Sequence, residues 1–444
     1  MHAFDPLHAP HCQGQAFAPS YWAATQPLPV ANSAPQTSEH FDVAIIGGGF
    51  SGLLSAYYLA HIYQQKVCVL EANQVGFGAS ARNAGFALPG SGRLGYADYA
   101  KRWGIDVSRG IYEEFQGGVN RVRSLIETNQ INCDAQASGY LKIAHNAQAY
   151  NNLQSAAQFI SDNFGNDASQ LLSRDALETQ FMLNHHAHGA MRYENGFGLH
   201  PLKLLLGYRD MAIQAGVTLF EHSLVSEVKH GQRHQLNVND QTISADKLLY
   251  TGNAYNNKHS HPLIDNRYLP ILSSIFVTRP LSNDELAQTG LQTHQVVMDT
   301  RRLKYYYRLL PDNRLLFGGR GAVFAKDQHK AKYLNHLKSA LAECFPCLKG
   351  IAHDYYWHGY IAAALDDMPH IFFEENVGYI LGYCGSGVSF SSQAGYRLAQ
   401  LTMKDKVPDL PLYQRPLPKI PFPQLRRFGQ LGYYHLAQIQ DKFS

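Results

Sequence analysis

Asp42-Val-Ala-Ile-Ile46, Gly47-Gly-Gly-Phe-Ser-Gly52 and Lys66-Val-Cys-Val-Leu70-Glu71 decide the fold of this chain. The first is a short β-branched and apolar run, the pattern of a buried strand. Gly47, Gly49 and Gly52 make G-x-G-x-x-G where that strand gives way to an Ala/Leu/Tyr-rich helix reaching about His61. Gly47 permits the tight turn, Gly49 lets a pyrophosphate approach the backbone, and Gly52 lets helix and strand pack closely. The helix start offers N–H groups and a positive dipole end to phosphates. Glu71 closes the second strand, where a carboxylate takes ribose hydroxyls. Strand, glycines, helix, strand and acid fall within one short βαβ unit, so a dinucleotide-binding unit is expected.

Working outward, 444 residues suggest two domains. With 45% hydrophobic and 16% charged residues the chain is a folded globular protein. A net charge of +3 gives no footprint for nucleic acid. The first thirty residues lack the basic and apolar regions of a secretory signal, and no apolar run is long enough to span a membrane. Six cysteines without framework spacing fit a reducing, cytoplasmic setting.

Residues 1–40, rich in Pro, Ala, His and Gln, read as an irregular arm docked through Tyr21-Trp22. The loop Val75–Gly90 is built mostly of small residues, which lets backbone approach a large planar ligand. Residues 95–180 read as mainly helical, interrupted by a strand at 139–144, and a helix spans 200–216. Strands follow near 217–221 and 224–229, then a hairpin of 234–238 and 242–251. That hairpin ends in Thr251-Gly252-Asn253, placed back in the sheet of the nucleotide unit. Strands at 271–277, 296–299, 305–309 and 314–319 read as an antiparallel sheet of a second domain. A helix at 330–344 precedes a return to the nucleotide domain over 351–395, with a strand at 377–382 and a helix from about Phe390 to Met403. The boundaries expected are an arm at 1–40, a nucleotide-binding domain from 41–92, 189–260 and 348–406, a substrate domain from 93–188 and 261–347, and a tail at 407–444.

In order, the opening unit, Gly78-Ala-Ser80-Ala-Arg82-Asn83-Ala-Gly85, Trp357-His-Gly-Tyr-Ile-Ala-Ala-Ala and Gly382-Tyr-Cys-Gly385-Ser-Gly387-Val388 resemble the D-amino-acid-oxidase-like flavoproteins. Ser20-Tyr-Trp-Ala-Ala-Thr25, the Val75–Ser80 loop, Tyr305–Arg308 and Arg314–Gly319 resemble the γ-glutamylputrescine oxidase subgroup. The resemblance implies an α/β fold: a Rossmann-like FAD-binding domain plus a smaller α+β substrate domain whose antiparallel sheet lies over the flavin. It implies FAD and hydride removal from a carbon bearing an amine, with the imine hydrolysed to aldehyde and ammonia. Gly47, Gly49, Gly52 and Glu71 would take the pyrophosphate and ribose, with Gly252 alongside. Ser80, Arg82, Asn83 and Gly85 would run toward the ring, Val225 would face the adenine, and Gly385, Gly387 and Val388 would line the ring's pyrimidine end. No His or Cys lies between Gly76 and Gly90, so FAD is expected to be non-covalent. The Lys that sarcosine oxidases place over the flavin has no counterpart in Arg314–Arg320, which leaves O2 or a quinone-type acceptor, with fast O2 use disfavoured.

Candidate catalytic residues are His358, as proton acceptor, and Tyr306. Tyr306, Arg308 and Trp357 are candidate substrate contacts, with Arg308 as a carboxylate anchor. The alternative for Arg308 is a domain-interface ion pair. No metal is expected: His185, His186, His188 and His200 lack ligand spacing, and Cys344-Phe-Pro-Cys347 has no second pair. Two alternatives stay open: an oxidase or dehydrogenase of a small amino acid (glycine, sarcosine or a D-amino acid), and an FAD-bearing module of a larger complex. In the tail, Arg426 and Arg427 with Leu425, Phe428, Leu436, Ile439 and Phe443 form a loose helical stripe with a basic edge. It would either lie on a membrane surface or dock on the body.

Overall fold

The computed structural model describes residues 4–90, 92–165, 169–291 and 295–443. Ser444 and the side chain of Phe443, both part of the tail reading, lie outside the described part.

The opening run forms the strand Glu39–Ile46, flanked in parallel by Val67–Leu70 on one side and Gln241–Tyr250 on the other. The central stretches Val43–Ile46, Val67–Leu70 and Leu248–Tyr250 are apolar and mostly buried, as a covered parallel sheet requires. Thr218–Phe220 extends the sheet beyond Val67–Leu70, and Val377–Leu381 and antiparallel His370–Glu374 extend it beyond Gln241–Tyr250. The strand ending before Thr251-Gly252 therefore returns beside the nucleotide unit as its sequence suggested. The helix Phe50–His61 packs Leu53, Leu54, Ala56 and Leu59 into the core. Gly52 makes this possible, since a Cβ there would overlap the Gly47 carbonyl. The helix Gly387–Thr402 packs against the same helix and against Ile105–Thr128.

The second sheet runs His353–Ala363, Leu269–Pro280, Arg314–Arg320, Tyr306–Leu309, Val296–Asp299, Ser138–Ile143, Ala190–Gly198 and Phe86–Ala87. All described neighbours along this path are antiparallel except Val296–Asp299 with Ser138–Ile143. One face carries Leu141, Val297, Tyr307, Phe317 and Phe276 onto the helix Ala331–Cys344. The other carries Trp357, Ile275, Leu316, Tyr306 and Met298 toward the nucleotide half.

Membership of this sheet corrects the sequence boundaries in two places. His353–Ala363 was placed with the nucleotide segments, yet it pairs along its length with Leu269–Pro280. Ala190–Gly198, also inside a nucleotide segment, pairs with Ser138–Ile143. Two short strands, Phe86–Ala87 and Ser169–Leu172, lie in stretches read as loop and helix. Local pattern could not assign them, because a sheet-edge residue acquires its partners only in the folded chain.

The arm is tied down at many points. Phe4 stacks on Tyr255, and the Gly14 amide donates to Asn73 Oδ1 at 2.9 Å. Tyr21 and Trp22 are buried in the short helix Tyr21–Thr25, the docking point expected. The tail helix Arg426–Phe443 also docks on the body, through its arginines. Arg427 is buried and paired with Asp5 at 2.7 Å, and Arg426 donates to the Tyr268 carbonyl, while Leu425, Phe428, Leu436 and Ile439 face outward. The basic edge is thus spent on the body. Among the described residues no helix is long and apolar enough to cross a membrane.

Candidate functional site

The C-terminal ends of the parallel strands, the glycine turn and the loop 76–83 enclose one long cleft. It holds about 1210 Å³ not occupied by protein atoms, open mouth included. Gly47, Gly49, Glu71, Ser80, Asn83, Val225, Gly252, Gly385, Gly387 and Val388 all line it. Residues drawn from six separate segments thus meet along one wall-to-wall groove.

The glycine turn is built for close approach. Gly47 has φ +111°, and a Cβ on it would stand 2.9 Å from the Gly252 amide nitrogen. Each of this pair thereby keeps the cleft floor at backbone level. Glu71 accepts from the Gly48 amide at 2.9 Å through one oxygen and from the Asn73 amide at 3.0 Å through the other. Burial raises its pKa against these two amides, which lower it. Ser80 Oγ accepts from the Phe50 amide at 2.9 Å, so its hydroxyl sits over the helix start where an anion would be held. Asn253 Oδ1 and Asn256 Oδ1, both on the cleft wall, are buried without a hydrogen-bond partner. Glycines at backbone contact, a fixed acid, a helix start and orphaned acceptors match what a dinucleotide needs.

Two expected ring-side contacts do something else. Arg82 donates through Nε to the Phe77 carbonyl at 2.5 Å and lies over the Phe77 ring; Nη2 is buried without a partner. Gly85 has φ +73° and lets the Leu199 carbonyl and the Arg308 guanidinium close over it. It stands outside the cleft lining, and so does Arg82. The loop is pinned from behind by two indoles. Trp22 Nε1 donates to the Asn83 carbonyl at 2.9 Å, and Trp357 Nε1 to the Arg82 carbonyl at 2.9 Å. Trp357 is thus a buried support for the loop rather than a wall of the cleft.

The proposed catalytic pair is separated by the sheet. Tyr306 Oη bonds Ser273 Oγ at 2.7 Å on the face toward the nucleotide half, its ring lying across Gly318. His358 Nδ1 bonds Ser274 Oγ at 2.8 Å on the opposite face, beside Tyr356 and His329. Adjacent residues of one strand point to opposite sides, so the two cannot serve one site. Burial pushes His358 down to about 4, and its Nε2 has no partner. His358 stands on the far side of the sheet from Tyr306.

Arg308 is also corrected. Its guanidinium is sealed, donating to Gln136 Oε1 and the Leu199 carbonyl at 2.6 Å each, 5.3 Å from the Trp22 ring centre. It contacts neither a substrate space nor a carboxylate, and burial pushes it down to about 9. Neither the substrate-anchor nor the ion-pair expectation describes it. The missing signal was the N-terminal Trp22, which covers it from almost three hundred residues away in sequence.

The histidine set disperses: His200 packs on Trp22, and His186 lies near Glu343. Among the described residues one grouping has metal-ligand spacing, His40, Asp42 and Asp246, and each is engaged by Ser244, Lys66 or Arg233. Cys344 and Cys347 are both free thiols, Cys344 within the core against Ala331–Cys344 helix neighbours.

Fold and cleft together define a two-sheet dinucleotide-binding oxidoreductase. The family described as "FAD dependent oxidoreductase" matches residues 42–401, and the chain belongs to that family, with FAD as its cofactor. The chain is 32% identical over 387 residues to gamma-glutamylputrescine oxidoreductase of Escherichia coli (strain K12), covering 87% of this chain and 89% of the relative. Among solved structures it resembles glycine oxidase from Geobacillus kaustophilus, with a TM-score of 0.69 at 19% identity over 86% of this chain and 99% of the other. It also resembles the FAD-bound L-alpha-glycerophosphate oxidase of Mycoplasma pneumoniae, with a TM-score of 0.65 at 15% identity over 86% and 100%. Family membership makes the chain an FAD-dependent oxidoreductase.

Proposed function

We propose that this enzyme oxidises the terminal aminomethyl group of a γ-glutamylputrescine-like amine, with FAD bound non-covalently. The observation that carries the reading is the cleft's position: its Gly385–Val388 end adjoins the sheet face bearing Tyr306, in a chain whose 32% identical relative is named for that substrate. Gly47, Gly49, Gly52 and Glu71 would hold the pyrophosphate and ribose, Val225 would face the adenine, and the start of Gly387–Thr402 would lie toward the ring. When bound, FAD supplies the two-electron acceptor. The substrate C–N carbon gives up a hydride and its nitrogen a proton; the imine takes up water and leaves as aldehyde and ammonia. Tyr306, held by Ser273, orients the amine, and its hydroxyl stays protonated because burial raises its pKa. Electrons then pass to O2 or a quinone-type acceptor. All six thiols are free, in keeping with a cytoplasmic setting.

The test is anaerobic flavin bleaching against γ-glutamylputrescine, putrescine, glycine, sarcosine and D-alanine. Bleaching fastest by γ-glutamylputrescine supports the reading; bleaching by the small amino acids alone replaces it with the amino-acid alternative.

A further inference from the structure

Three cations, Lys142 and Arg320 on separate strands and Lys304 just ahead of a third, gather on one side of the second sheet. Lys142 of Ser138–Ile143 lies opposite Met298, Met298 opposite Tyr306, and Tyr306 opposite Gly318, so these residues share a face. Arg320 follows two residues after Gly318 and lies opposite Ser273, the partner of Tyr306. Lys304, two residues ahead of Tyr306 and just before that strand, lies close enough to Lys142 and Arg320 for their charges to act on it. This is the face turned to the nucleotide half, and at its edge Cys384, next to cleft-lining Gly385, packs with Ile271 and Ala363.

None of Lys142, Lys304 and Arg320 has a carboxylate partner among the described residues. The other charged groups nearby are already engaged: Arg93 pairs with Asp367 at 3.0 Å, and Asp299 is paired with Arg301 and accepts the Tyr305 amide. Burial, then Lys142, Arg320 and Arg93 in turn, lower Lys304 to about 7; burial also lowers Lys142. Lys142, Lys304 and Arg320 are each half-buried, and like charges gathered this way without a counter-charge are unfavourable unless a ligand completes them.

We propose that Lys142, Lys304 and Arg320 form an anion subsite that receives a carboxylate carried by the amine substrate, and that the same cluster turns away unacylated di- and polyamines. The inference rests on the amine-oxidising reading and adds a condition to it: the oxidised amine belongs to a molecule with an anionic remote end. A guanidinium and two ammonium groups suit a carboxylate, Arg320 by its planar fork and the lysines as point charges. A free diamine brings two positive charges to the same face and meets repulsion at both ends.

Two measurements on the FAD-loaded protein test this. The first is calorimetric titration with glutarate at pH 8 in two buffers of different ionisation heat. Wild type binds glutarate with net proton uptake, since Lys304 begins mostly deprotonated at this pH and an adjacent carboxylate raises it. Lys304→Gln, Lys142→Gln and Arg320→Gln each weaken binding about tenfold or more, and Lys304→Gln abolishes the uptake. The second is anaerobic flavin reduction by N-glutarylputrescine, N-acetylputrescine and putrescine. The glutaryl compound exceeds both others at least tenfold in reduction rate over dissociation constant in wild type, and the Gln variants collapse that ratio. Glutarate binding unchanged in all three variants overturns the subsite. Equal reduction by the acetyl and glutaryl compounds also overturns it while leaving the amine chemistry in place. Glutarate binding as stated, with no amine reducing the flavin, removes the amine chemistry and leaves the anion subsite standing.

Discussion

Glu71 shows how one side chain can be both structure and site. Its two oxygens are engaged by the Gly48 and Asn73 amides, so the carboxylate is aimed before any ribose arrives. Glu71→Ala removes a charged acceptor worth roughly 1.5–3 kcal/mol, so FAD should bind about tenfold or more weakly. Reconstitution of the apoprotein followed by flavin fluorescence measures this; an unchanged dissociation constant would show that another group takes the ribose. His200 offers a pH test at the same scale. Its Nδ1 accepts from the Lys203 amide at 3.2 Å as the cap of the helix Pro201–Gln214, and its other nitrogen bonds Thr25. Burial pushes it down to about 4. The folded state therefore binds fewer protons than the unfolded one between about 4 and 6.5. Stability from this group is fully present above 6.5 and lost as pH falls toward 4, by about 3 kcal/mol. His200→Asn keeps a capping oxygen without the titration. Its urea midpoint should fall less than that of wild type between pH 6.5 and 4.5.

Among the elements, the arm and the tail helix depend on each other. Arg427 is buried against Asp5, with further bonds to the Pro270 carbonyl and Gln430. Removing either charge strands the other out of water, at a cost of about 3–5 kcal/mol. Asp5→Ala and Arg427→Ala should therefore each expose both ends of the chain: amide exchange should quicken over 4–12 and over 426–443 together. Loss of protection in the tail alone would mean the arm is held by Phe4 and Asn73 without help. The same contact explains why the basic edge of this amphipathic stripe faces the body. Desolvated hydrogen bonding to carbonyls and Asp5 took the arginines inward, and the apolar residues of the helix were left outside.

For the molecule as a whole, the cleft joins segments from 46 to 391, so bound FAD should lock both halves. A ligand present at one hundred times its dissociation constant adds about 2.7 kcal/mol to stability. The apoprotein should melt several degrees below the FAD-loaded protein, and added FAD should restore the difference. Acid precipitation should release all the flavin to the supernatant. Flavin retained by the pelleted chain would establish a covalent link instead.

The nucleotide unit was legible in the sequence because its determinants are local. Strand, Gly47, Gly49, Gly52, helix and Glu71 are neighbours along the chain, and their φ and packing demands are met by residue type alone. The return of Gln241–Tyr250 and Val377–Leu381 to the parallel sheet was legible for the same reason, through the apolar ending Leu248–Tyr250 and the run Val377–Leu381. The faces of the second sheet were not. Tyr306 and His358 are parted by a register that only pairing of Leu269–Pro280 with both its neighbours sets. Arg308 is closed off by Trp22 and Gln136, and the cations at 142, 304 and 320 meet across three strands. Side-chain alternation tells which residues share a side within one strand. Which side faces the cofactor depends on long-range pairing and on what packs behind, and those are properties of the folded chain.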